Sequence, residues 1–129
     1  MRRNRAPGAG NTRELRVMGV LDGEGWLCGS RRHIPGAGDV LAVRAGNVPM
    51  LDFRRGATIV RPLEAALLIE VKSTAGGPYE RFGPAERRDL IETAERCGAE
   101  AWLYWWPPRK QLERIHHSQF PTYRVSEKP

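Results

Sequence analysis

A chain of 129 residues, 28% of them charged, is long enough for one domain with a real core and too short for two. Lysine and arginine total 21 against 15 acidic residues, and the formal net charge of +6 draws the chain toward polyanions, with nucleic acid foremost. The opening "MRRNRAPGAG" lacks the apolar stretch of a signal peptide and no later run has bilayer length, so a cytoplasmic protein with no membrane contact is expected.

In chain order, residues 1–10 read as a flexible basic arm, because Arg2, Arg3 and Arg5 are followed by Pro7, Gly8 and Gly10. A brief helix is expected after Asn11 or Thr12, either of which can cap it, carrying Glu14, Leu15, Val17 and Met18 before Gly19. "GWLCGS" at 25–30 reads as a strand, and "DVLAV" from Asp39 as a second. Residues 44–65 mix turn signals with short apolar pieces and read as an irregular or hairpin-like insertion carrying Arg44, Arg54, Arg55 and Arg61. "ALLIEVK" is apolar almost without a break, as in a central strand covered on both faces.

Pro84 suits the first turn of a helix, and "AERRDLIETAERCG" then places Leu90, Ile91, Ala94 and Cys97 on one face before Gly98. "AEAWLYWW" follows as an aromatic strand with Trp102 in the core, stopped by Pro107 and Pro108. Residues 107–129 read as a polar tail with a helical turn at 110–116, and the adjacent His116 and His117 as tail residues. Cys28 and Cys97 have no ligand-like spacing and read as packed thiols. Strands alternating with helices make an α/β core of a sheet packed on helices.

Glu70 and Lys72 lie two apart on the central strand and so project to one face. The plain reading is an ion pair at a strand end. Asp39 changes the weighing: if its strand neighbours the central one, Asp39 and Glu70 converge, and two hard oxygen ligands at one sheet edge suit Mg²⁺. Lys72 beside them can orient a water or stabilise charge growing on a phosphate. Two carboxylates and a lysine are what metal-assisted phosphodiester hydrolysis requires.

The succession of "TRELRVMG", "GWLC" with Arg31 and Arg32 after it, "GAGDVLAV", "LLIEVKS" and "PAERRDLIETAERCGAEAWLYWW" resembles the archaeal-type and phage-type Holliday junction resolvases of the PD-(D/E)xK nuclease superfamily. The likeness spans roughly residues 11–106 and implies a restriction-endonuclease-like core, a central mixed β-sheet flanked by helices. It implies that Asp39 and Glu70 are the motif's acids and Lys72 its lysine, and that Glu14 completes a site for Mg²⁺, or Mn²⁺ in its place. The backbone carbonyl of Val71 is then a further ligand, and one of Ser30, Arg31 and Arg32 touches the scissile phosphate. The motif's proline is replaced by Gly38, Glu86 stands where relatives often carry glutamine, and 31 positions separate Asp39 from Glu70, room for an added DNA-contacting flap.

The function so implied is a metal-dependent endodeoxyribonuclease cutting four-way DNA junctions as a homodimer, in the host cytoplasm if phage-encoded. The arm residues Arg2, Arg3 and Arg5 would cross phosphates beside the branch point without reading sequence. Two rivals stand beside this reading: a nickase, restriction-type or fork nuclease with the same chemistry, and a non-catalytic DNA-binding protein of the same fold.

Overall fold

A computed structural model describes residues 9–46, 50–52, 58–60 and 63–121. The arm residues Arg2, Arg3 and Arg5, and Arg54, Arg55 and Arg61 of the insertion, lie outside the described residues. In chain order the elements are α1 (Ala9–Gly23), β1 (Leu27–Ser30), β2 (Val40–Ala45), β3 (Met50–Asp52), β4 (Thr58–Val60), β5 (Leu63–Lys72), α2 (Pro84–Arg96), β6 (Glu100–Trp105) and β7 (Glu113–His116). A 3₁₀ turn, His117–Gln119, follows β7.

Five strands form one mixed sheet in the order β1-β2-β5-β6-β7, in which only the β5–β6 pair is parallel. The expected α/β architecture is thus present, with β5 at the centre. The sheet divides the core in two. On one face Val17 and Leu21 of α1 pack with Val40, Ala42, Leu67, Ile69, Val71 and Tyr104. On the other, Leu90 and Ala94 of α2 pack with Leu68, Phe82, Ala101, Leu103, Ile115 and Phe120. β5 contributes to both faces, which is why its sequence is apolar without alternation.

Several expectations are corrected. α1 is not brief: it starts at Ala9, runs through Asn11, Thr12 and Gly19, and ends after Gly23. Gly19 costs a helix about 1 kcal/mol, which the complete burial of Leu21 beyond it outweighs. The stop is Gly25, with φ +94°, where the Trp26 N–H reaches the Leu21 carbonyl at 3.0 Å and the Gly25 N–H reaches that of Asp22 at 3.1 Å. These two bonds make a Schellman ending that a left-handed glycine permits.

Residues 113–116 form a fifth strand, not part of a helical turn, and place His116 on the sheet. Its ring lies edge-on to Trp102, 4.9 Å between centroids. Trp102 itself is only partly buried against the α1-side core. Cys28 packs against that core, whereas Cys97 is exposed, because it caps α2 one residue beyond the last buried turn.

The insertion contains an antiparallel pair, β3 with β4, but Arg44 belongs to β2 and Leu63 already to β5. β2 runs away from Asp39 and β5 runs back toward Glu70. The hairpin therefore leaves the sheet at the end opposite those acids, about 20 Å off along six strand residues.

Candidate active site

The helical spacing of α1 places Glu14 on the same stripe as Val17 and Leu21, and its side chain is only 7% exposed. A buried glutamate on an otherwise apolar face needs partners. One is the Ser30 hydroxyl at the end of β1, which donates to Glu14 Oε1 at 3.2 Å. Another is close by: the charge of Asp39 raises the Glu14 carboxyl, after burial, which is the larger cause.

Asp39 stands just before β2. Its N–H donates to the Ile69 carbonyl at 2.8 Å, its carbonyl accepts from Arg31 N–H at 2.8 Å, and its Oδ2 accepts the Val71 N–H at 2.8 Å. The carboxylate is therefore pinned across the end of β5. In an extended strand one residue's N–H and C=O face the same edge, so the Val71 carbonyl is directed toward Asp39 as well. Burial raises the Asp39 carboxyl, while the Val71 N–H, Lys72 and Arg13 pull it back.

Gly38 explains the missing proline. Its φ of +91° is closed to proline, which is held near −65°, and a Cβ there would stand 2.5 Å from Leu68 Cδ1. Glycine lets the loop pass over Leu68 and deliver Asp39.

Glu70 and Lys72 do form the strand-end ion pair of the plain reading, Nζ to Oε2 at 3.4 Å. They are also part of something larger. Glu70 is pushed up to about 7, first by burial, then by the charge of Asp39, with Lys72 opposing. All three carboxylates are raised, in each case first by burial, with the charge of Asp39 adding to the rise at Glu14 and Glu70.

Glu14, Asp39, Glu70, Val71 and Lys72 line one open cavity of about 400 Å³. Among the described residues no three acidic, histidine or cysteine side chains stand close enough to enclose a metal ion, since Asp39 is held by Val71 N–H, Glu70 by Lys72 and Glu14 by Ser30. In type, however, three hard carboxylates and a carbonyl are the donor set that Mg²⁺ prefers.

Of the phosphate candidates, Ser30 sits on Glu14, and the Arg32 N–H reaches the Ser30 hydroxyl at 3.3 Å. Arg31 is folded into its own loop, half-buried with Nε unpartnered, its carbonyl taking the Ile34 N–H. Glu86, matched to a glutamine only through the sequence resemblance, accepts the Gly83 N–H at 2.9 Å and so caps α2. With Asp89 it also lines a smaller cavity on the other side of Asp39 and Glu70.

No family model matches the chain, and no curated protein sequence does. Among solved structures, Hjc of Archaeoglobus fulgidus, a Holliday junction resolvase from an archaeal hyperthermophile, superposes with a TM-score of 0.62 over 89% of this chain and 78% of its own. In fold, the chain is similar to a Holliday junction resolvase. Identity to Hjc is 21%, so the likeness to Hjc is one of architecture.

Residue-level reading missed several groups around the cavity. Arg13, Ser73, Thr74 and Arg81 line it too. Two tryptophans brace its edge: Trp105 Nε1–H donates to the Thr74 carbonyl at 2.8 Å, and Trp106 N–H to that of Lys72 at 2.8 Å. Arg16 of α1 stacks on the Trp106 ring, 3.9 Å from its centroid. The only local signals were Arg13 beside Glu14 and the hydroxyls directly after Lys72 in "EVKST".

Proposed function

We propose that the protein is a metal-dependent endodeoxyribonuclease acting on four-way DNA junctions as a two-fold symmetric homodimer. The observation that carries this is the gathering of Glu14, Asp39 and Glu70 with Lys72 at the end of the central strand, in a chain whose fold is similar to that of a resolvase.

Glu14, Asp39, Glu70 and the Val71 carbonyl would hold Mg²⁺, with Mn²⁺ as substitute; the chemistry such an ion supplies is polarisation of the phosphodiester and acidification of a water. The chain's own groups do the rest. Asp39 is fixed by Val71 N–H and keeps its oxygen in register with β5. Lys72, held by Glu70, presents its ammonium where the attacking water is oriented and charge builds on the phosphate. One of Ser30, Arg31 and Arg32, in the turn beside Glu14, meets the scissile phosphate. The net charge of +6 steers DNA to the surface. Cutting two opposed strands of a junction calls for two sites related by a two-fold axis, which a symmetric dimer provides.

Purified protein with Mg²⁺ is offered junction, fork, flap and linear duplex, with Asp39→Asn as control. Selective cutting of the junction, lost in the variant with junction binding retained, supports the proposal. Equal cutting of linear duplex shifts the reading to a nuclease of another substrate. Absence of cutting in both Mg²⁺ and Mn²⁺ leaves a DNA-binding protein of this fold.

A further inference from the structure

We propose that Arg13, Arg81 and the Ser73 hydroxyl form a second anion seat, which takes a backbone phosphate next to the one cut. It rests on the nuclease reading above, and adds to it the group that holds the strand beyond the reacting centre.

Arg13 is the starting point. It precedes Glu14 on α1, and its Nη1 donates to Ser73 Oγ, 60 positions away, at 2.5 Å. Its Nε is buried with no acceptor. A guanidinium has five N–H donors in a fixed fork, and a buried donor left without an acceptor costs free energy. Among the described residues Arg13 makes no ion pair with the carboxylates beside it. Its field reaches Glu14 and Asp39, yet its hydrogen bond goes to a neutral hydroxyl. The side chain is anchored at Nη1 and enclosed at Nε, which leaves Nη2 without a partner among the described residues.

The surroundings select the ligand. Ser73 Oγ accepts from Arg13, which leaves its own proton free to donate. Thr74 is spent, its hydroxyl donating to the Gly77 carbonyl at 2.5 Å. Arg81 lines the same cavity, is exposed, and has no ion pair among the described residues. No ion pair joins it to its neighbour Glu80, whose carboxylate is turned to the Gly76 N–H at 2.8 Å. Lys72 is engaged by Glu70. Apart from the three acids, the side-chain groups left unspent in this cavity are Arg13, Ser73 and Arg81, all donors, and two of the three carry full positive charge. The matching ligand has only acceptors and negative charge, as a phosphodiester does.

The seat is separate from the contact expected of Ser30, which lies on Glu14. Anion contacts at two places around the acids would fix the direction in which a strand crosses them.

Binding of a fluorescent four-way junction is measured in EDTA, without metal, across 50–200 mM salt, for wild type, Arg13→Ala, Arg13→Lys and Arg81→Ala. The expected result is affinity weakened several-fold in each alanine variant and a log–log salt slope reduced by about one per arginine removed, with partial rescue in Arg13→Lys. Arg81 is exposed, so its variant tests the seat even if Arg13→Ala unfolds. A second arm uses junctions with a single methylphosphonate: one linkage should weaken the wild type and leave the arginine variants indifferent. A wild-type slope in Arg81→Ala, or unchanged linkage sensitivity in the alanine variants, would overturn the seat. If the variants lose binding while wild type cuts no DNA in Mg²⁺ or Mn²⁺, the seat stands and the nuclease reading falls; normal variants with a cutting wild type give the reverse.

Discussion

The two ends of the sheet are built from the same side-chain types and treat charge in opposite ways. At the end away from Asp39, Arg44 makes a bidentate contact with Glu64, at 2.9 and 3.1 Å, and lies over the Trp26 ring at 4.1 Å. Arg114 likewise grips Glu24 with both nitrogens, at 2.7 and 2.5 Å. Among the described residues, both of these cations have their anion. At the other end three carboxylates crowd together, one lysine pairs with Glu70, and Arg13, whose field reaches Glu14 and Asp39, bonds a serine. Matched pairs at one end and mismatched charge at the other, within one small fold, separate structural electrostatics from electrostatics held in reserve for a ligand.

The largest test of that contrast is chemical. Asp39→Asn and Glu70→Gln should each lower junction cleavage by on the order of 10²–10³, read from single-turnover rates in Mg²⁺. Stability should move the other way: with Glu70 raised to about 7, its carboxylate is disfavoured by the fold above that pH, so metal-free Glu70→Gln should melt higher than wild type at pH 8.

Next in size is Gly38→Ala. A φ of +91° and a contact of 2.5 Å with Leu68 should together cost about 2 kcal/mol or more in urea melts, and cleavage should fall as Asp39 is displaced. Trp105→Phe removes the bond to the Thr74 carbonyl, which should cost about 1 kcal/mol. Its mark should be a lower kcat with little change in junction affinity.

The smallest effect belongs to the paired end. The hydrogen bond from Arg114 holds the Glu24 carboxyl below its ordinary 4.5. A carboxyl with a lowered folded pKa adds stability above its unfolded value and loses it as pH falls through the folded one. Glu24→Gln should therefore lower stability by no more than about 1 kcal/mol at neutral pH, since the pair is over one-third exposed. The difference from wild type should shrink in thermal melts as pH falls below 4.5 and through the lowered folded value. If Glu24→Gln raised the melting temperature as Glu70→Gln is expected to, the contrast between the ends would collapse.

How much of this was readable follows from where each signal resides. β5 and α2 were legible because burial on two faces, or on one, writes itself into consecutive residues. Glu70, Lys72 and Asp39 were legible because charge interrupts apolar strands, and the structure brings them to one cavity. β7 was not, since an edge strand with only Ile115 buried has the composition of a loop. The true end of α1 depends on Gly25 and on Leu21 meeting the sheet, neither visible in local propensity. Arg13 was missed because its partner, Ser73, is distant in sequence.

The place where the β3–β4 hairpin departs has an evolutionary consequence. β2 and β5 are joined at the end remote from Asp39 and Glu70, so residues between them can be gained or lost without shifting the register Val40↔Ile69 that aligns the acids. Insertions there are insulated from the chemistry. A lineage can remodel that connection, and whatever it touches, while the grouping of Glu14, Asp39, Glu70 and Lys72 is inherited unchanged.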